Sequence, residues 1–225
     1  FTGDISPEGL LAAYRALGFS AKGKVGVKIH SGEPGGHNFL QPDFIKPVVD
    51  YVHGTLVECN TAYEGRRNTT EKHLKAIKEH GFTKIAPVDI MDSEGELVLE
   101  IPGGLQIKKN FVGSHLKNYD SLVVLSHFKG HQMGGFGGAL KNISIGIASS
   151  HGKAYIHGAG DPSRLWDCEQ NKFLESMADA CKSIVEYRKG AIAYVNVMKN
   201  LSIDCDCNNH PAAPEMADIG ILASL

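Results

Sequence analysis

The sequence lacks most of what marks the specialised classes of protein. No apolar run approaches the ~20 residues needed to cross a bilayer, and the opening FTGDISPEGLLAAYRALG lacks the charged-then-apolar layout of a secretory signal. That pattern excludes a membrane partner and sets a cytoplasmic location as the expectation. No basic stripe is present either. The 23 Lys and Arg are balanced by 25 Asp and Glu, and because nucleic-acid affinity rests on neutralising phosphates, nucleic acid is excluded as a partner. Cysteine is sparse and odd in number, five in 225 residues, which is no disulfide framework and points to reduced thiols. Internal repeats and low-complexity tracts are absent. What is there is 42% hydrophobic residues, enough for a sizeable core, and eleven histidines, several beside glycines rather than inside periodic segments. Histidines so placed suggest a ligand or proton-transfer site.

Segments of strand type alternate with segments of helical period, the pattern of an α/β fold with a mainly parallel sheet and helices on both faces. SPEGLLAAYRALG reads as a helix with Ser6 as N-cap, Pro7 at its first position and Gly18 as its stop. KVGVKIH, TLVECN, KIAPVDI, SLVVLSHF, AIAYVNVMKN and ADIGILAS read as strands. QPDFIKPVVDYVHG, NTTEKHLKAIKEHG and KFLESMADACKSIVEYRKG read as helices, with Pro47 early enough in the first of them to be tolerated or to kink it. The stretch DSEGELVLEIPGGLQIKKNFVG suggests a small β-hairpin appendage at about 92–110, with Gly103 and Gly104 near its turn. The expectation is a single α/β domain over 1–225. Its ends read as trimmed, because FTGDIS begins where a strand would be finishing and DIGILASL stops after an apolar strand.

In such a sheet ligands bind at the carboxyl ends of the strands, and four strand-end loops carry chemistry. The first follows SLVVL. SHFKGHQMGGFGGALKNIS holds His127, His131 and Lys141 around a glycine turn. Gly134, Gly135, Gly137 and Gly138 would let the backbone approach a ligand and present amides to an anion. The spacing of Gly137 and Lys141 is neither a Walker A loop nor a G-x-G-x-x-G turn, so a nucleotide phosphate is not implied. KIHSGEPGGHNFLQP places His30, Glu33 and His37 after another strand. ECNTAYEGRRN offers Asn60, Tyr63 and Arg66 or Arg67, whose guanidinium fork suits a carboxylate or phosphate. IDCDCNNHP brings Cys205, Cys207 and His210 together, and a C-x-C pair can hold a soft metal although it is not zinc-ribbon spacing. His53, His73, His80 and His115 lie in helical or turn contexts and read as solvated, and Cys181 reads as a small core residue.

HFKGHQMGGFGGALKNISIGIAS together with SIDCDCNNHPAAPEMADIGILAS resembles an uncharacterised bacterial and archaeal family described as iron-sulfur centre proteins, many of which carry a ferredoxin-type cluster module after this glycine segment. The resemblance covers nearly the whole chain. No C-x-x-C-x-x-C run is present here, so cluster binding does not carry over. HQMGGFGGALKNISIGIAS is also similar to the segment of nickel-dependent lactate racemases in which a histidine precedes a G-F-x-G-G turn and a lysine. That likeness implies an acid/base role for His131, attachment of a nickel pincer nucleotide for Lys141 and nickel binding for His157. It also implies an upstream arginine, for which Arg66 or Arg67 stands in the right region, with Arg66 taken as the candidate.

These readings converge on a metal- or small-anion-binding protein that takes a small-molecule ligand. Its sharpest form is a metal-dependent enzyme transferring a proton on a carboxylate-bearing molecule. His131 and Lys141 are then the catalytic candidates, and Lys141, Arg66 and the four glycines line the cofactor or anion site. His30, His127, His157, Cys205 and Cys207 are the candidate ligands of a divalent transition metal. The alternative is a non-catalytic metal protein that docks a redox partner. An enclosed pocket would favour the first and an open face the second.

Overall fold

A computed structural model describes all residues, 1–225. The chain begins with helix α1 (Pro7–Ala16), strand β1 (Val25–Lys28), helix α2 (Pro42–Val52), strand β2 (Thr55–Glu58), helix α3 (Thr70–Glu79) and strand β3 (Val88–Ile90). A hairpin of β4 (Glu96–Glu100) and β5 (Lys109–Gly113) follows, then β6 (Ser121–His127), a short hairpin of β7 (Lys129–His131) and β8 (Gly135–Gly137), and helices α4 (Ala139–Ser144), α5 (Ser150–His157) and α6 (Gln170–Arg188). Strands β9 (Ile192–Met198) and β10 (Gly220–Ser224) complete the chain.

The main sheet has the order β10-β9-β6-β1-β2-β3, parallel throughout except that β10 runs antiparallel to β9. Alternation along β6 assigns its two faces. Val123 and Leu125 enter a core with α1 and α2, whereas Leu122 and Val124 enter a second core with Ile143 and Ile147 after β6 and Ile184 of α6. Helices therefore cover both faces. The local signals work as their chemistry requires. Ser6 Oγ accepts the Gly9 N–H ahead of Pro7, Thr69 Oγ1 accepts the Lys72 N–H, and α2 continues through Pro47.

Three elements differ from the sequence expectation. The hairpin is shifted relative to 92–110, starting at Glu96, pairing Leu97 with Val112 and ending at Gly113, and Gly103 and Gly104 lie in the loop that joins its strands. KIAPVDI is strand only over Val88–Ile90, with a 3₁₀ turn at Phe82–Lys84. Helices α4 and α5 occupy the segment after the glycine turn, where no helix is expected. No helix is long and apolar enough to cross a membrane.

Candidate functional site

Strands β1, β2, β6 and β9 are parallel, so Lys28, Glu58, His127 and Met198 end at one edge of the sheet. Chain order reverses between β1 and β6, one leading on to β2 and the other to β9. The crevice at such a switch point is where open α/β sheets bind ligands. A cavity of about 560 Å³ lies there, lined by the loops that follow all four strands.

Its floor is charged. Lys28 Nζ lies 2.8 Å from Glu58 Oε2 and 2.9 Å from Asn142 Oδ1, and Glu58 Oε1 accepts the Ser31 N–H at 2.8 Å. Burial lowers the Lys28 pKa against the pull of Glu58. Burial works to raise the Glu58 carboxyl, but the Lys28 ammonium and nearby His and Arg charges override it and hold the group well below the usual carboxylate range. On one wall Arg67 Nε donates to Glu33 Oε2 at 2.6 Å and its Nη2 to Tyr63 Oη at 3.1 Å.

The loop after β9 brings the two thiols in. Cys205 Sγ and Cys207 Sγ lie 3.5 Å apart, His30 Nε2 is 3.2 Å from Cys207 Sγ, and Lys141 Nζ is 3.7 Å from Cys205 Sγ. The His30, Cys205 and Cys207 donor atoms all lie within 4.8 Å of one another. The hydrogen bond with Cys207 leads in pushing the Cys205 thiol pKa down against burial, helped by the Lys141 and Lys129 charges. The loop is held from behind. Asp206, between the two cysteines, is 2.8 Å from His127 Nδ1 and 3.0 Å from Lys129 Nζ, and its carbonyl accepts the Glu33 N–H at 2.9 Å. Burial works to raise its pKa, yet Lys129 and His127 hold the carboxyl well below its usual range. Gly130 permits this packing, since a Cβ there would lie 2.0 Å from the Ile203 carbonyl oxygen.

Two more histidines line the cavity in opposite tautomeric states. His131 Nδ1 accepts the Gly134 N–H at 2.9 Å, so the neutral ring carries its proton on Nε2. Burial, then the Lys141 charge, pushes its pKa down to about 3. His157 Nδ1 is 2.7 Å from the Lys153 carbonyl, which only accepts, so its proton is on Nδ1 and Nε2 keeps a lone pair. Burial pushes its pKa down to about 4.

The structure thus gathers His30, Cys205 and Cys207 into one donor set, and places His131, Lys141, Gly137 and Gly138 on the same cavity. Several expectations need correction. His127 is not available to a metal, because Nδ1 faces Asp206 and Nε2 donates to the Lys199 carbonyl at 2.6 Å. His157 lines the cavity but stands outside the three-donor cluster. Gly134 and Gly135 form the tip of the β7–β8 hairpin, away from the cavity lining. Arg66 is on the surface paired with Glu79, and its neighbour Arg67 is the arginine that turns inward. His73 is fully buried rather than solvated, with Nδ1 3.4 Å from Asn60 Oδ1. Residues unassigned from sequence complete the site, chiefly Lys28, Glu58, Lys129 and Lys153. The first two carried a signal, being charged residues at the ends of otherwise apolar strands.

Residues 25–225 match the family described as a domain of unknown function (DUF362), which is most of the chain. The chain belongs to this family. No protein of curated function matches the DUF362 chain. Among solved structures, it is similar to the lactate racemase apoprotein from Thermoanaerobacterium thermosaccharolyticum, at 18% identity and TM-score 0.56, over 97% of this chain and 52% of that one. It is also similar to a protein from Thermotoga maritima, at 15% identity and TM-score 0.52, over 85% of this chain and 49% of that one. The DUF362 chain spans about half the length of both structures. Likeness at this identity shows a shared fold, and function has to be argued from the site.

Proposed function

We propose that this DUF362 chain is a metal-dependent α/β protein that holds a soft divalent ion on His30, Cys205 and Cys207 and transfers a proton on a small carboxylate in the adjoining cavity. The observation that carries the reading is the donor set itself, two thiols and an imidazole within 4.8 Å at a switch-point cavity. Metal–sulfur bonds of about 2.3 Å and metal–nitrogen bonds of about 2.0 Å place neighbouring donors roughly 3–4 Å apart. The 3.2 Å and 3.5 Å separations fit that requirement. One adjustment is needed. His30 Nδ1 accepts the Gly32 N–H at 3.0 Å, so its ring proton sits on Nε2, and ligation through Nε2 moves that proton and frees the Gly32 amide.

Three protein donors leave positions open toward the cavity, and an ion there would act as a Lewis acid on a bound oxygen. The chain's own residues supply the rest. His157 Nε2, with its lone pair, accepts a proton, and His131 Nε2–H donates a hydrogen bond to a ligand oxygen, so the two rings offer the ligand complementary roles. Lys141, beside the thiols, offers positive charge to a developing oxyanion. The likeness in sequence to nickel-dependent lactate racemases supports proton transfer at a carbon next to a carboxylate. The alternative of a non-catalytic redox partner calls for donors on an open face, and the buried setting of Cys205 favours the enzyme.

Elemental analysis of protein purified without oxygen and without nickel-affinity resin tests the reading. One metal per chain, lost in the Cys205→Ser/Cys207→Ser variant, is the expected result. Folded protein free of metal, or metal content unchanged in that variant, overturns it.

A further inference from the structure

Five cations border the cavity, and four of them have a negatively charged or thiol neighbour. Lys28 pairs with Glu58, Arg67 with Glu33 and Lys129 with Asp206, while Lys141 lies 3.7 Å from Cys205 Sγ. Lys153 is the exception. Its side chain lines the cavity and is buried, with 8% of the residue exposed, yet it enters none of the chain's ion pairs. Its Nζ makes a single bond, to the Ala148 carbonyl at 2.5 Å, and two of its three N–H donors have no partner in the protein. A nearby thiol offers no charge to offset it, since burial pushes the Cys59 pKa up to about 12. A buried cation without a counter-ion is costly, and one that lines a cavity is satisfied most directly by an anion entering there.

The position of Lys153 in α5 says what that anion is attached to. Lys153 and His157 are four residues apart on one helix, so they stand on the same face about 5–6 Å apart at Cβ. The Lys153 carbonyl also fixes the His157 ring through the 2.7 Å bond to Nδ1, leaving Nε2 free. An anionic group seated on Lys153 therefore has the rest of its molecule along the face of α5 that carries His157.

We propose that Lys153 binds the carboxylate of a short 2-substituted carboxylic acid and sets its second carbon, or the hydroxyl on it, beside His157. The proposal rests on the proton-transfer reading above and names the residue and the substrate class for it. The reacting group is delivered to a basic nitrogen by the helix that also carries its anchor, which is positioning of the kind that converts binding into rate.

The test uses lactate as the probe and lactamide, the same skeleton without the charge, as its control. Affinities are measured by calorimetry or NMR on the wild-type chain, Lys153→Met, Lys153→Arg and Cys205→Ser/Cys207→Ser, with folding followed by circular dichroism and metal content read on the same samples. The wild type is expected to prefer lactate over lactamide by about tenfold or more, the value of one charge-assisted hydrogen bond. Lys153→Met is expected to erase that preference and Lys153→Arg to keep most of it. The thiol double variant is expected to retain it, because the anchor is separate from the donor set. Equal affinity of the wild type for lactate and lactamide overturns the proposal without any variant, so a misfolded Lys153→Met leaves it falsifiable. An undiminished preference in folded Lys153→Met also overturns it, as does a preference lost only in the thiol variant, which would assign the carboxylate to the metal. Metal-free protein that still prefers lactate would sink the metal reading and leave the anchor standing.

Discussion

Replacing Asp206 by Asn should damage the thiol loop from behind without touching a thiol. Asn keeps the side chain's volume and one acceptor for His127, but removes the negative charge that faces Lys129 Nζ at 3.0 Å. Both partners are buried, Asp206 at 3% and Lys129 at 6% exposure, so solvent cannot take over the lost role. Breaking a buried pair by removing one partner costs about 3–5 kcal/mol, because the survivor is left charged and unpaired. For a chain of this size that corresponds to a fall in Tm of roughly 6–20 °C, and to a large part of a total stability of about 5–15 kcal/mol. Denaturant unfolding of Asp206→Asn, Lys129→Met and the double variant closes the cycle. Lys129→Met removes the orphaned ammonium, so the double variant should recover at least about half of the loss. Metal affinity should fall about 10–100-fold in Asp206→Asn, as it does when outer-shell support of ligands is removed. An Asp206→Asn cost under about 1 kcal/mol, or a double variant no better than the single one, would refute the argument that this carboxylate holds the loop by charge.

Two further expectations concern stability. His73 is buried and held neutral, its pKa pushed down to about 3 by burial and then by the Arg67 charge, whereas in the unfolded chain it titrates near the ordinary value of about 6.5. The unfolded state therefore binds the extra proton first, and the contribution of His73 is intact above about pH 6.5 and lost as pH falls toward 3. Between pH 6.5 and 5 that amounts to about 2 kcal/mol, so His73→Met should show a shallower acid-side decline of unfolding free energy, and parallel declines would discard the idea. The neighbouring arginines separate surface from interior. Arg66→Ala should change stability by no more than about 0.5 kcal/mol because its pair with Glu79 is exposed, while Arg67→Ala should cost about 3–5 kcal/mol by stranding Glu33. Similar values for the two would contradict the placement of Arg67.

The parallel sheet was legible because its strands are short apolar runs between capped helices, and a strand's end is where the topology puts a site. His30 on one strand-end loop and Cys205 and Cys207 on another are therefore legible as candidates from their positions alone. What sequence alone concealed has physical causes. Helices α4 and α5 contain or adjoin glycines whose low helix propensity masks them, and tertiary packing overrides that propensity. Gly146 and Gly152 are there for space, since a Cβ would lie 2.2 Å from the Asn142 carbonyl oxygen at the first and 2.0 Å from that of Phe111 at the second. Arg66 and Arg67 differ by one step along a loop, and only the fold decides which of the two faces inward. His73 did carry a signal, because it precedes Ala76 and Ile77 by three and four residues on the buried stripe of α3. Its polarity outweighed its position in the sequence reading, and the fold reversed that order.

Under the proposed reading, the charges of the cavity would also order how a ligand lies in it. Lys28, Arg67 and Lys129 are each cancelled by a buried carboxylate, so they shape the walls without attracting an anion over any distance. At the thiol end two thiolates would balance a divalent ion, and Lys141 already faces Cys205. That end offers a coordination position and little net charge. Uncompensated charge is left at Lys153, on the helix that presents the lone pair of His157, while the opposing donor, His131, belongs to the β7–β8 hairpin. A carboxylate drawn to Lys153 would then leave its other end to reach the donor set, with one ring able to take a proton and the other to donate a hydrogen bond. On that reading the asymmetry of charge would orient the ligand, and the asymmetry of tautomers would make His157 the ring that first takes a proton.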